Sequence, residues 1–206
     1  MDAIVAAIAL VVLSPLFLAL ALVVVLDSRG PVFYRAERVG FRGRRLQMLK
    51  FRKMHATASG GALTIAGDER FTRVGEWLAR TKLDELPQLW HVLRGDMSLV
   101  GPRPESPDFV ARFADDYAVI LTVRPGLTGY TQLAFAREVN ILNPEDVHGH
   151  YVNELLPQKV GLDRLYASRL DVGRDVRVLL ATFRTLALRQ PVAVNRTTGA
   201  LTRRRR

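Results

Sequence analysis

"LARTKLDELPQLWHVLRGDMSLVGPRPE", Leu78 to Glu105, decides how this chain is read. Leu86, Leu89, Trp90 and Leu93 recur at i, i+3, i+4 and i+7, one face of an α-helix. Pro87 falls in the first turn, where its missing N–H is no loss, and Gly95 suits the left-handed residue that ends a helix. The helix is therefore predicted to start near Asp84 as its N-cap, with Glu85 just inside. Met97 to Val100 reads as a short strand. Gly101-Pro102-Arg103-Pro104 reads as a stiff turn that holds Arg103 on restricted backbone, one X-Pro bond being a candidate for cis.

An isolated Asp-Glu pair at such a place is ordinarily a cap and a complement to the helix dipole. Its neighbours change the weighing. Arg80 and Lys82 stand just before it, and a helix N-terminus attracts phosphate. A carboxylate there is favoured in its ionised form, the form that attacks as a nucleophile or binds a divalent cation. Paired acids, Mg²⁺ and basic side chains together suit phosphoryl chemistry. Arg103, and Arg124 before Pro125-Gly126, are candidates for binding phosphate.

Upstream, Ala3 to Leu26 is apolar for 24 residues apart from Ser14-Pro15. A straight helix of that length runs about 36 Å, enough to cross hydrocarbon. With no polar face, it does not read as the core helix of a soluble protein. Pro15 sits mid-segment and should kink it, so the segment either spans with a kink or turns back to the side it entered from. The basic run after it (Arg29, Arg35, Arg38, Arg42, Arg44, Arg45, Lys50) places the following domain in the cytoplasm.

The expected organisation is a membrane helix at 1–27, a catalytic domain at 28–190 and a basic, disordered tail at 191–206. Within the domain, "GPVFY" and "LQMLKF" read as strands, His55 to Glu69 as a loop, Phe71 to Ala79 and Pro104 to Val123 as helical, and "RPGLTGY" as a turn. Asp171 should cap a helix reaching about Arg189. On it Val172, Val176, Leu179, Leu180, Phe183 and Leu186 share one face, as in core packing or an interfacial membrane helix.

The formal net charge of +10 favours anionic partners, but no nucleic-acid-binding module is present. With no cysteine, disulfides and thiolate metal sites are excluded. There is no P-loop and no Gly-x-Gly-x-x-Gly, and "HGH" at His148 to His150 reads as a solvated loop rather than a zinc site.

"LDELPQLWHVLRGDMSLVGPRP", "RVG…LKFRKM", "RPGLTGY", the Ser14-Pro15 break and Asp2, in this order, resemble the bacterial sugar transferases, the monotopic phosphoglycosyl transferases. The resemblance runs from Asp2 to about Leu188. It implies an α+β, mainly helical fold. A re-entrant membrane helix breaking at Ser14-Pro15 would precede a small cytoplasmic domain with short strands and interfacial amphipathic helices, at the bacterial inner membrane. It implies transfer of a sugar 1-phosphate from a UDP-sugar to a polyprenol phosphate, with release of UMP. Asp84 is then the nucleophile that forms a covalent phosphosugar intermediate, and Glu85 helps to hold Mg²⁺ with it. Arg80, Arg103 and Arg124 would bind nucleotide or phosphates, with Lys50 and Arg52 on the basic side of the pocket. The partners implied are the donor, the polyprenol phosphate and inner-membrane lipid, with no nucleic acid; a homodimer stays open. The sequence departs from the family pattern in having Ala79 where an arginine is usual five residues before the Asp, Lys82 in place of a serine, and His91 in place of an asparagine. A membrane phosphatase and a membrane-anchored nucleic-acid-binding protein are the competing readings.

Overall fold

A computed structural model describes all of the chain except residues 61, 62, 66, 137, 139, 140 and 204–206. It begins with α1 (Asp2–Val12) and α2 (Ser14–Asp27), bent by 63° at Leu13. The bend follows from the sequence: Pro15 opens α2, and the Ser14 hydroxyl donates to the Val11 carbonyl at 2.8 Å. No single helix among the described residues is long and apolar enough to cross a membrane; this bent pair together reaches that length and composition. Ile4, Ile8, Val11, Leu18, Leu22 and Leu26 on the pair are exposed, whereas Ala6, Leu20 and Val24 are buried against the rest of the protein.

Next comes an antiparallel hairpin, β1 (Phe33–Val39) and β2 (Arg45–Phe51), in which Ala36 stands opposite Met48. The helix α3 (Arg73–Thr81) is N-capped by Thr72, whose hydroxyl accepts from Gly75 N–H. It ends at Lys82, in the left-handed region at φ 60°. A 3-10 turn over Leu83–Gln88 leads into α4 (Leu89–Arg94), closed by Gly95 at φ 78°.

The predicted start of that helix is corrected here. Asp84 is not its N-cap but lies inside the 3-10 turn. Pro87 has no N–H to donate and restricts Leu86 before it, so the α-helical ladder begins only after the proline. The apolar stripe keeps its purpose: Leu89 and Val92 are buried against α1. Each such side chain contributes about 1.5–3 kcal/mol on leaving water.

The strand β3 (Ser98–Val100) pairs in parallel with β4 (Gly126–Thr128), so "RPGLTGY" supplies a strand as well as the expected turn. Glycine is required there, since a Cβ on Gly101 would stand 2.7 Å from Gly126 N. The proposed cis X-Pro bond is absent: no peptide bond among the described residues is cis. Helices α5 (Pro107–Arg112), α6 (Ala114–Ile120), α7 (Tyr130–Ala134), α8 (Val147–His150) and α9 (Leu156–Ala167) enclose the largest core, which includes Phe109, Tyr117, Ile120, Leu133, Leu156 and Leu162. "HGH" lies in α8, where His150 Nδ1 accepts from Asn143 N–H.

The helix α10 (Val172–Leu186) is N-capped by Asp171, as predicted. It buries Val178 and Ala181, while the predicted apolar face is open, Phe183 being 62% exposed. That face is therefore not core. The expectation of a disordered tail is also corrected. Strands β5 (Val192–Val194) and β6 (Leu201–Arg203) pair as a hairpin. Val192, Val194 and Leu201 pack on the large core, and the Asn195 side chain accepts from the N–H groups of Thr197 and Thr198 to form the turn. Residues 204–206 of the predicted tail lie outside the described residues.

Candidate active site

Asp84 and Glu85 sit on the 3-10 turn, which packs on strand β2. Alternation along β2 sends Leu46, Met48 and Lys50 to one buried face. Leu46 and Met48 fill the apolar core, and Lys50, further along, reaches Glu85 Oε1 at 2.9 Å. Arg103, carried on the Gly-Pro-Arg-Pro turn, brings Nη2 to 3.4 Å from the same oxygen. Burial alone would push the Glu85 carboxyl up, but the charges of Lys50, Arg103 and Lys82 outweigh it and hold the group well below the usual range. Burial lowers Lys50, with Glu85 working against it. Burial also acts to lower Arg103, but Glu85, Glu105 and Glu138 overcome it and the guanidinium is raised.

Asp84 is almost wholly enclosed. Its Oδ2 lies 3.3 Å from Lys53 Nζ, and its Oδ1 is buried with no hydrogen-bond partner among the described residues. Buried oxygens are rarely left so, because the desolvation penalty goes uncompensated. A cation or an incoming substrate group would relieve it.

Behind Arg103 lies a second buried network. Arg103 N–H donates to Asp163 Oδ2 at 3.2 Å, and Asp163 Oδ1 accepts from the Thr131 hydroxyl at 2.6 Å. Lys159 Nζ bridges Glu105 at 3.2 Å and Glu138 at 3.1 Å, and donates to the Tyr151 hydroxyl at 2.7 Å. Burial pushes the Asp163 carboxyl up to about 7, Glu105 adding to it, while the two hydrogen bonds pull the other way.

Of the residues singled out from sequence, the structure gathers Asp84, Glu85, Lys50 and Arg103. Arg80 is on the surface, paired with Glu76. Arg52 is buried beside the end of α2, donating to the carbonyls of Val24, Ser28 and Arg29. It fastens the apolar helix to β2 and forms no hydrogen bond or ion pair with Asp84 or Glu85. Arg124 lies over the Phe41 ring at 5.6 Å and forms no ion pair with the dyad. Sequence reasoning passed over Lys53, although the basic run Lys50-Phe51-Arg52-Lys53 was a signal for it. Nothing in sequence spacing pointed to Asp163 or Lys159, brought in by α9.

Among the described residues, no three acidic or histidine side chains cluster as a metal site. Mg²⁺ typically needs only one or two carboxylates when substrate phosphates and water complete its octahedron, so Asp84 and Glu85 fit that ion.

A carboxylate pair ringed by Lys50, Lys53 and Arg103 suits an enzyme acting on a phosphate-bearing substrate. The sequence model of the bacterial sugar transferases matches residues 1–189, and the chain belongs to that family. A UDP-glucose:undecaprenyl-phosphate glucose-1-phosphate transferase of Caulobacter vibrioides is 38% identical, over 90% of this chain and 68% of its own length. A UDP-N-acetylgalactosamine-undecaprenyl-phosphate N-acetylgalactosaminephosphotransferase of Aeromonas hydrophila is 36% identical, over 90% of this chain and 42% of its own length. The exopolysaccharide production protein PSS of Rhizobium leguminosarum bv. phaseoli is 34% identical, over 84% of this chain and 86% of its own length. The chain thus spans less than half the length of the Aeromonas relative.

Proposed function

We propose that this enzyme transfers a sugar 1-phosphate from a UDP-sugar to a polyprenol phosphate, undecaprenyl phosphate being the acceptor named for its relatives. The observation that carries the reading is the juxtaposition of a buried Asp84, a partly buried Glu85, the cations Lys50, Lys53 and Arg103, and an apolar helix pair in one family fold. Asp84 attacks the sugar-bearing phosphorus of the donor, and the bond to UMP breaks with its electron pair leaving on UMP. A phosphate oxygen of the lipid then attacks the same phosphorus, releasing the polyprenyl diphosphate sugar and restoring the carboxylate. Glu85 holds Lys50 and Arg103 in place beside the reacting phosphates. Asp84 and Glu85 would hold Mg²⁺, which when bound neutralises diphosphate charge.

The membrane reading rests on exposed apolar surface. The outer faces of α1 and α2 and the open face of α10 are long and apolar, and Trp77 and Trp90 are about half exposed, as suits a lipid interface. In this account α1–α2 enters the cytoplasmic leaflet of the bacterial inner membrane and turns back at Ser14-Pro15, leaving the catalytic domain on the cytoplasmic face. The product serves as the first lipid-linked unit of an exopolysaccharide or related glycan.

The test is a donor screen. Purified full chain, Mg²⁺ and undecaprenyl phosphate are incubated with UDP-glucose, UDP-galactose, UDP-N-acetylglucosamine and UDP-N-acetylgalactosamine, and UMP is measured. UMP released with at least one donor, together with sugar-linked polyprenyl diphosphate, supports the reading. Free sugar phosphate formed without lipid product would indicate a hydrolase instead.

A further inference from the structure

Three cations form ion pairs with the dyad among the described residues, and they are not equivalent. Lys50 and Arg103 are both bound to Glu85. Only Lys53 pairs with Asp84, among the described residues. Its side chain is 26% exposed against 2% for Asp84, so it stands between solvent and the carboxylate.

The chain holds Lys53 there by its backbone, while its ammonium is bound only through the side chain. The Lys53 carbonyl accepts from Thr72 N–H at 3.1 Å. Gly75 of α3 presses on the same carbonyl so closely that a Cβ would stand 1.8 Å from the oxygen. Only glycine permits that approach. Nζ also lies 5.6 Å from the centre of the Phe71 ring, a cation–π contact near the outer limit of that interaction. An ammonium on a flexible stem can change partners without rebuilding a fork of hydrogen bonds, as a guanidinium would have to. Ala79 leaves no cation at its position, and the adjacent Arg80 is paired with Glu76.

We infer that Lys53 is a catalytic residue of donor cleavage, pairing with Asp84 Oδ2 at rest and passing to the donor's phosphate oxygens as that carboxylate attacks. The inference rests on the function proposed above. In the resting state the ion pair masks the nucleophile. As the donor enters, the ammonium moves to the non-bridging oxygens of the sugar-bearing phosphate, and Oδ2 is released. The new bond joins Oδ2 to phosphorus while the bond from phosphorus to the UMP oxygen breaks. The charge shed by Asp84 on bond formation is matched by the charge leaving on UMP, and Lys53 remains on the phosphoryl oxygens it has neutralised.

The experiment measures single-turnover formation of the phosphosugar adduct by the full chain in lipid nanodiscs, without polyprenol phosphate. The donor is the member of the UDP-sugar panel that gives the largest UMP burst. Wild type is compared with Lys53→Ala and with Lys53→Met, which keeps the stem over Phe71. Both variants should form adduct about 100-fold more slowly, the lower end of the loss when one donor at a developing charge is removed. Methylammonium should restore much of the rate in Lys53→Ala and leave wild type unaffected, which no purely structural role explains. Equal rates in wild type and Lys53→Ala would overturn the assignment alone, as would a slow variant that melts early and is not rescued. Absence of adduct in wild type would overturn the proposed function, and this inference with it.

Discussion

The backbone N–H of Arg103 donates to Asp163 Oδ2 at 3.2 Å, so the turn that presents a guanidinium to Glu85 is tied to α9 by a buried carboxylate. Burial raises that carboxyl from its ordinary value near 3.8 to about 7. Between these two values the unfolded chain gives up the Asp163 proton and the folded chain keeps it. The contribution of this group is therefore full below about pH 4 and is lost as pH rises through 7. Asp163→Asn should remove the decline. Chemical denaturation from pH 4 to 8 checks it: the gap between wild type and variant must shift in the variant's favour as pH rises, and a constant gap would contradict the burial argument.

Glu85 holds Lys50 and Arg103 through one oxygen. Glu85→Gln keeps the shape and removes the charge that both cations face. Donor cleavage should fall by about 100-fold, with a higher Mg²⁺ requirement. A Mg²⁺ titration of UMP release reads both effects. An unchanged midpoint would remove Glu85 from the metal site.

Arg52 donates to three carbonyls around the end of α2. A lysine cannot reproduce that fork, and Arg52→Met removes all three side-chain hydrogen bonds. Arg52→Met should cost roughly 2–3 kcal/mol in nanodisc-embedded protein, judged from the loss of charged hydrogen bonds. The donor KM should move little, because Arg52 forms no hydrogen bond or ion pair with the dyad. A large KM change with normal stability would place Arg52 in the pocket after all.

Phe183 stands open on the apolar face of α10. The chain has no cysteine, so Phe183→Cys gives a unique labelling site. An environment-sensitive fluorophore there should shift to shorter wavelength in anionic vesicles and resist an aqueous quencher. Emission typical of water in the presence of vesicles would show that this face does not meet lipid.

Much of the site was legible because it is local. The dyad, Pro87, the leucine stripe and Gly95 lie within a dozen residues, and their spacing gives the turn, the short helix and its end. Asp84 was misread as a cap because the ring of Pro87 acts on backbone geometry, delaying the α-helix until Leu89. The bend between α1 and α2 was readable from Ser14-Pro15 alone. Position along the chain was a poor guide to the basic residues. Arg80 is next to the dyad in sequence and bound to Glu76, whereas Lys53 is some thirty residues away and lies on Asp84. That distance is closed by β2 and α3, through the Gly75 contact that no periodicity reveals. The terminal hairpin is set by tertiary contact, not by local pattern: Val192, Val194 and Leu201 pack on the core, and Asn195 makes the turn.

The central claim is that Asp84 takes up the sugar phosphate covalently. The most direct measurement is intact-protein and peptide mass spectrometry after acid quench of the full chain with Mg²⁺ and its best UDP-sugar, polyprenol phosphate omitted. The account predicts a mass increase of one phosphosugar, located on the peptide containing Asp84, absent from Asp84→Asn and discharged when undecaprenyl phosphate is added. UMP release by Asp84→Asn at the wild-type rate, or an adduct on any other residue, would contradict it.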